Sequence, residues 1–163
     1  HVMCAKAQGA RVIMSEPDGA RRELARELGA DIAVDPASCD AVEAVRELTG
    51  GDGAAVVFNT TAVSAVAQQA IGMVAQMGRV IMYSSQHPDK PIEVSPNWLH
   101  NSEAVITGAV SPSVRSFRRS CDALSKGIID PGRLVSGVFA IDDCQRAFEA
   151  AIRPDTFRCI IKL

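Results

Sequence analysis

The chain has 163 residues, 17 basic against 19 acidic side chains, a formal charge of −2 and 4% aromatic residues. That length supports one domain with a substantial core and at most a small second lobe, and the balanced charge with no basic run argues against nucleic acid as a partner. No apolar run reaches the roughly 20 residues that span a bilayer, and the first residues lack the layout of a secretion signal, so a soluble cytoplasmic protein with no membrane partner is expected.

His1–Gln8 reads as the end of a helix, because Val2, Met3, Cys4, Ala5 and Ala7 run straight to Gly9 without a start signal. The chain is therefore expected to be truncated at its beginning. In Arg11–Asp31, a β-prone run around Val12, Ile13 and Met14 stops at Glu16, and Pro17-Asp18 turns it into a helical pattern. Ala20, Leu24, Ala25 and Leu28 recur at helical spacing, and Gly29 stands where a left-handed cap belongs. Ile32–Val34 is a second short strand, and Asp35-Pro36 breaks the chain. Asp40–Thr49 forms a helix with Val42, Val45 and Leu48 on one face.

Gly50-Gly51-Asp52-Gly53 precedes a strand rather than following one, so it reads as a turn. Ala54–Phe58 is a continuous apolar strand, the pattern expected when helices cover both faces. Asn59-Thr60-Thr61 ends it, and a helix over Ser64–Gln76 is stopped by Gly78. Arg79–Tyr83 is the next strand, with Ser84-Ser85 at its carboxyl end. In the proline-containing loop that follows, Ile92–Val94 is expected as a short strand and Pro96–His100 as a helical turn with proline at its first position. Ala104–Thr107 is a further strand ending at Gly108-Ala109. Beyond it come a helix from Ser111-Pro112 to Lys126, a strand near Leu134–Phe139, a helix from about Asp142 to Ile152, and a strand over Arg158–Leu163.

Strands alternating with helices of this length predict right-handed βαβ units and an α/β, doubly wound parallel sheet of Rossmann type. An acidic residue at the end of the second strand of such a unit can accept hydrogen bonds from both hydroxyls of a dinucleotide's ribose, which makes Glu16 the first candidate site residue. The same carboxylate could instead only start a helix, where the macrodipole favours it. A glycine-rich phosphate loop lies about 20 residues before that acid, which passes residue 1. The first strand and its loop are thus expected to be missing from this chain. The five cysteines, Cys4, Cys39, Cys121, Cys144 and Cys159, are scattered without C-x-x-C spacing, so they suggest neither a structural zinc nor a disulfide framework. His1, His87 and His100 stand apart from one another and from any catalytic pattern.

The phrases AKAQGARVIMSEPDGARRELARELGAD, VVFNTT, MVAQMGRVIMYSS, AVITGAV and FAIDDCQRAFEAAIRPDTFRCIIKL, in this order, resemble the medium-chain dehydrogenase/reductase family, the zinc-type alcohol and polyol dehydrogenases. The resemblance covers essentially the whole chain. It implies an NAD(P)-binding Rossmann domain over residues 1–110 and a segment over 111–163 that returns toward a catalytic domain. Residue by residue, it puts Glu16 at the ribose-binding acid and Arg21 beside the adenosine. Asn59, Thr60 and Thr61, Met82, Tyr83 and Ser84, and Gly108, Ala109 and Val110 fall on segments bordering the cofactor and its nicotinamide end. Arg158 resembles an arginine that reaches the pyrophosphate, a role suited to a planar guanidinium.

The implied cofactors are NAD and, in the intact enzyme, a zinc whose ligands lie outside this chain; no catalytic or metal-binding residue can be named within it. The implied reaction moves a hydride between an alcohol or polyol substrate and NAD, in a homo-oligomer, dimer or tetramer, paired along the Ala104–Thr107 edge. The chain by itself is expected neither to oxidise alcohols nor to bind NAD tightly. A zinc-free quinone or enoyl reductase of the same family, or an NAD(H)-binding module without turnover, are the other readings. Tyr83 and Lys90 are seven apart, which disfavours the short-chain dehydrogenases, whose catalytic pair is four apart.

Overall fold

A computed structural model describes residues 1–153 and 155–163 and divides them into two compact units, His1–Val114 and Arg115–Leu163. In the first, α1 (Val2–Ala7) leads into β1 (Ile13–Ser15), α2 (Gly19–Glu27), β2 (Ile32–Val34) and α3 (Ala41–Leu48). β3 (Ala54–Asn59), α4 (Ser64–Met73), β4 (Val74–Met82), α5 (Pro96–Ser102) and β5 (Val105–Gly108) follow. All strand pairs are parallel, β1 with β2 in one ladder and β3-β4-β5 in another. The alternation of short apolar runs with amphipathic helices therefore yields the expected parallel α/β architecture. The expected single sheet is present as two separate ladders, since no strand among the described residues joins β1 to β3.

The core follows from the register. Val57, Val80 and Ile106 stand opposite one another on adjacent strands, and Val80 is wholly buried. Ala70 and Ile71 of α4 pack onto this row, with Trp98 of α5 against them. A second cluster, Ala41 and Val45 of α3 with Met73 of α4, receives Ile13 of β1 and so ties the first ladder to the second by packing instead of hydrogen bonds.

Four expectations need correction. The Ser64–Gln76 helix ends at Met73, because β-branched Val74 enters the core and pairs with Ala54, after which the chain bulges through Met77 at φ 58. Ile92–Val94 is not a strand. The side-chain amide of Gln68 takes the place of a strand partner there, donating to the Glu93 carbonyl at 3.0 Å and accepting from its N–H at 2.8 Å. β3 is not covered on both faces by this chain, since Val56 and Phe58 are 49% and 45% exposed. The helix expected from Ser111 begins at Val114, and it ends at Ser125.

In the second unit, α6 (Val114–Ser125) leads to β6 (Val135–Ala140), α7 (Cys144–Ala151) and β7 (Arg158–Lys162). β6 and β7 pair in parallel, α7 buries Ala147, and Ser136 Oγ accepts from the Phe157 N–H at 2.8 Å. No helix among the described residues is long and apolar enough to cross a membrane.

Asp31 fastens α1 to β1. Its carboxylate accepts from Lys6 Nζ at 2.8 and 3.0 Å and from the Val12 N–H at 2.7 Å. The Lys6 hydrogen bond, then the Val12 amide, holds this carboxyl below its ordinary value of 3.8. A carboxyl depressed in the folded state adds stability above its unfolded pKa, and that contribution is lost as pH falls through the folded value. Asp31→Asn is thus expected to lower the urea midpoint at pH 7, with the gap from the unmodified chain narrowing progressively below about pH 4.

Gly53 ends the turn before β3 at φ 90, its N–H donating to Thr49 Oγ1 at 2.9 Å. A Cβ there would lie 2.8 Å from the Met73 carbonyl oxygen, whereas at Gly51, φ 98, it would meet nothing within 4 Å. Both Gly→Ala changes carry the left-handed penalty of about 1–2 kcal/mol, so the excess loss at Gly53 isolates the close approach of α4. Gly53→Ala is expected to cost at least about 1 kcal/mol more than Gly51→Ala in chemical denaturation.

Candidate functional site

β1 delivers Glu16 one residue past its last paired position, where the Glu16 N–H still donates to the Val34 carbonyl of β2 at 3.1 Å. The carboxylate Oε1 accepts from the Asp18 N–H at 2.9 Å, which folds the side chain over the turn into α2. Capping of α2 belongs to Asp18, whose side chain accepts from the Arg21 N–H at 2.8 Å. Glu16 is therefore not the capping residue. Its Oε2 has no partner among the described residues and is available to hydroxyl donors.

Arg21 is half-buried in the first turn of α2. The next residue, Arg22, shapes this turn more than sequence reasoning anticipated. Its Nη1 donates to the carbonyls of Glu16 and Pro17 at 2.7 Å each, and its Nη2 pairs with Asp35 at 2.9 Å. One guanidinium thus grips the end of β1 and the end of β2 together. A cation in the first turn of a helix runs against the macrodipole, and that misplacement is the sequence signal for Arg22. Asp35 carries no such signal, because only the pairing of β1 with β2 brings it near.

Register gathers the remaining candidates of the first unit. Asn59, Met82 and Gly108 stand side by side at the carboxyl ends of β3, β4 and β5. The ladder runs one step further, with the Tyr83 N–H donating to the Asn59 carbonyl at 3.0 Å and the Ala109 N–H to the Met82 carbonyl at 3.1 Å. Ser84 Oγ donates to the Thr60 carbonyl at 2.8 Å and ties the two loops together. Asn59 is 3% exposed, and its Oδ1 accepts from both the N–H and the hydroxyl of Thr61 at 3.3 Å. Such a buried amide holds the loop after β3 in one shape. Thr60, Tyr83, Gly108, Ala109 and Val110 are exposed along this edge, as a ligand-facing rim requires.

His1 is not isolated, for its ring lies 4.7 Å edge-on from Tyr83 and 5.1 Å from Phe58. Arg158 belongs to the second unit, where it opens β7 and is exposed. Among the described residues no three His, Cys, Asp or Glu side chains come together as a metal site. The five cysteines are all free thiols.

Ligands of open parallel sheets lie beyond the carboxyl ends of the strands, and both ladders put their polar candidates there. Comparison with known proteins agrees with that architecture. A family model described as zinc-binding dehydrogenase matches residues 1–126. The chain is 31% identical over 144 residues to the 2-dehydro-3-deoxy-L-galactonate 5-dehydrogenase of Pseudoalteromonas atlantica, covering 88% of this chain and 41% of that protein. The crystal structure of 2R,3R-butanediol dehydrogenase from Bacillus subtilis matches with a TM-score of 0.87 at 28% identity, over 99% of this chain and 46% of that one. A protein described as a zinc-binding dehydrogenase from Sinorhizobium meliloti 1021, bound to NADP, shares the fold with a TM-score of 0.89 at 24% identity, over 99% of this chain and 48% of that one. The chain spans a little under half the length of these relatives. With 126 of its 163 residues matched by the family model and a Rossmann-like parallel fold throughout that span, the chain belongs to the zinc-binding dehydrogenase family.

Proposed function

We propose that this chain is the cofactor-binding portion of an oxidoreductase that transfers a hydride between an alcohol or polyol and NAD. The observation that carries the reading is Glu16, a carboxylate at the carboxyl end of β1 with one oxygen turned to the Asp18 N–H and the other without a partner among the described residues. Such a group suits a ribose bearing two hydroxyls, each of which can donate to it. Arg21 stands one helical turn on, for the adenosine. The rim built by Asn59, Thr60 and Thr61, by Met82, Tyr83 and Ser84, and by Gly108, Ala109 and Val110 is assigned to the nicotinamide end, and Arg158 to the pyrophosphate. Bound nicotinamide supplies the hydride acceptor or donor. What this chain's own residues do is bind and orient it.

Zinc enters differently. The family name implies the ion, but the described residues offer no cluster of His, Cys, Asp or Glu to hold it, so they do not fit it. In this reading its ligands belong to sequence beyond these 163 residues.

The preference for NAD rests on Glu16 and Arg22 together. One structural neighbour is described as bound to NADP and another as complexed with NADH, so the preference is assigned to side chains and not to the fold. An arginine near the ribose could accept a 2′-phosphate. Arg22 is already committed to two carbonyls and Asp35. A 2′-phosphate would face the Glu16 carboxylate and forfeit charge-assisted hydrogen bonds of about 1.5–3 kcal/mol. The expected discrimination is therefore on the order of a hundredfold, at about 1.4 kcal/mol for each factor of ten. The measurement is the ratio of kcat/KM for NAD over NADP in the full protein before and after Glu16→Ser. A fall of tenfold or more supports the assignment. An unmodified protein that favours NADP, or a ratio the substitution leaves unmoved, overturns it.

Assembly into a homo-oligomer along β5 belongs to the same reading. β5 ends its ladder, leaving one row of backbone N–H and C=O groups without a strand partner among the described residues, and Val105 is 44% exposed. An apolar free edge recruits a partner strand, and a charge there opposes it. Val105→Lys is expected to convert a dimeric or tetrameric mass in light scattering to a smaller one. A monomeric unmodified protein would refute the edge pairing.

A further inference from the structure

We infer that Asp35, the residue after β2, helps decide between NAD and NADP by keeping Arg22 away from the ribose. The inference rests on the functional reading above, in which Glu16 receives that ribose, and it adds a positioning residue that acts through Arg22. Arg22 starts close to the site. Its Nη1 donates to the carbonyl of Glu16 itself and to that of Pro17, at 2.7 Å each, and its Nη2 is 3.8 Å from the point where a Cβ on Gly19 would stand. The guanidinium thus lies against the turn that presents Glu16. A long, flexible side chain ending in a planar fork could reach a 2′-phosphate from there.

What holds it back is a carboxylate that is itself fixed. Asp35 Oδ2 accepts from Arg22 Nη2 at 2.9 Å, while Oδ1 accepts from the Ala37 N–H, also at 2.9 Å. The turn after β2 therefore anchors one oxygen of Asp35, and the other oxygen anchors Arg22. Both side chains are partly screened from solvent, which strengthens their attraction over that of a pair in open water. Carbonyls alone are weaker partners for a guanidinium than a phosphate, which takes two parallel hydrogen bonds and meets charge with charge. With Asp35 in place, a 2′-phosphate must compete with a carboxylate for Arg22 as well as face Glu16. Without that carboxylate it displaces only neutral oxygens.

The test compares the full protein with Asp35→Asn, which keeps an acceptor for the Ala37 N–H but carries no charge, and with Asp35→Ser, which does the same with a shorter side chain. Two quantities are read: the ratio of kcat/KM for NADP over NAD, and the calorimetric affinity for AMP and for its 2′-phosphorylated form. Both substitutions are expected to raise the NADP ratio by about tenfold, through KM rather than kcat, and to tighten the 2′-phosphorylated nucleotide relative to AMP by a similar factor. Asp35→Glu, which keeps the carboxylate, is expected to return most of the advantage to NAD. Arg22→Leu combined with Asp35→Asn is expected to cancel the gain, because no guanidinium is left to meet the phosphate. A residue that only braces the fold would lower both dinucleotides alike and leave the ratio where it was. A ratio unmoved by both substitutions while NAD is still used, or a gain that survives Arg22→Leu in full, overturns the inference and spares the functional reading. Failure of the unmodified protein to bind NAD overturns that reading, and the inference falls with it.

Discussion

The in-register parallel ladder β3-β4-β5 is the constraint on which the rest depends. Val80, wholly buried at its centre, is opposed by Val57 and Ile106, and α4 and α5 close over that row. Burying such a row supplies the apolar driving force, about 25 cal/mol for each Å² removed from water. A one-residue slip of β4 would turn Val80 to the opposite face and set Arg79 or Ile81 in its place. The same register aligns Asn59, Met82 and Gly108, so the packing that stabilises the sheet also assembles the candidate rim. Stability and site geometry are one property here.

The first ladder solves a harder problem with fewer residues. β1 and β2 have three residues each and share no hydrogen bonds with β3. Polar clamps do the work that a longer ladder would do. Asp31 fastens the start of β1 to α1, and Arg22 fastens its end to β2 through Asp35. The Arg22–Asp35 pair is partly screened from solvent, with side-chain exposures of 18% and 30%, and it is reinforced by two carbonyl acceptors, so it outweighs an ordinary surface ion pair. Glu16 sits inside this clamp, and its position is set by two backbone hydrogen bonds, its N–H to the Val34 carbonyl and its carbonyl from Arg22 Nη1, as well as by its own carboxylate.

Function divides along the same line. The fold places polar groups beyond the carboxyl ends of the strands, as open parallel sheets do in general, and family membership explains why a nicotinamide cofactor is the natural occupant. Neither fact chooses between NAD and NADP or names a substrate. In the proposed reading the choice of dinucleotide falls to a side chain on a loop, Glu16 after β1. Loops can vary without disturbing Val80 and its neighbours, which is how one scaffold serves dehydrogenases as different as those for butanediol and for a sugar acid.

Much of the architecture was determined by local sequence alone. The apolar spacing of α2 with Gly29 after it, the Asp40 cap of α3, the proline opening α5 and the apolar run of β3 each act within a few residues, and each element stands where those signals put it. The place of Glu16 at the end of β1 was legible for the same reason, since a strand end and the turn after it are local features. What only the tertiary structure decided involves partners distant in sequence. The helix before β4 gave up its last turn because Val74 is worth more in the core than in a helix, and Gln68 replaced a strand partner for Glu93. Arg22 found Asp35 only through the pairing of β1 with β2, and Ile92 reached the core cluster beside Met82 only through the folding of the loop after β4. Periodicity reports which face a residue presents. It carries no information about what the fold will bring to that face.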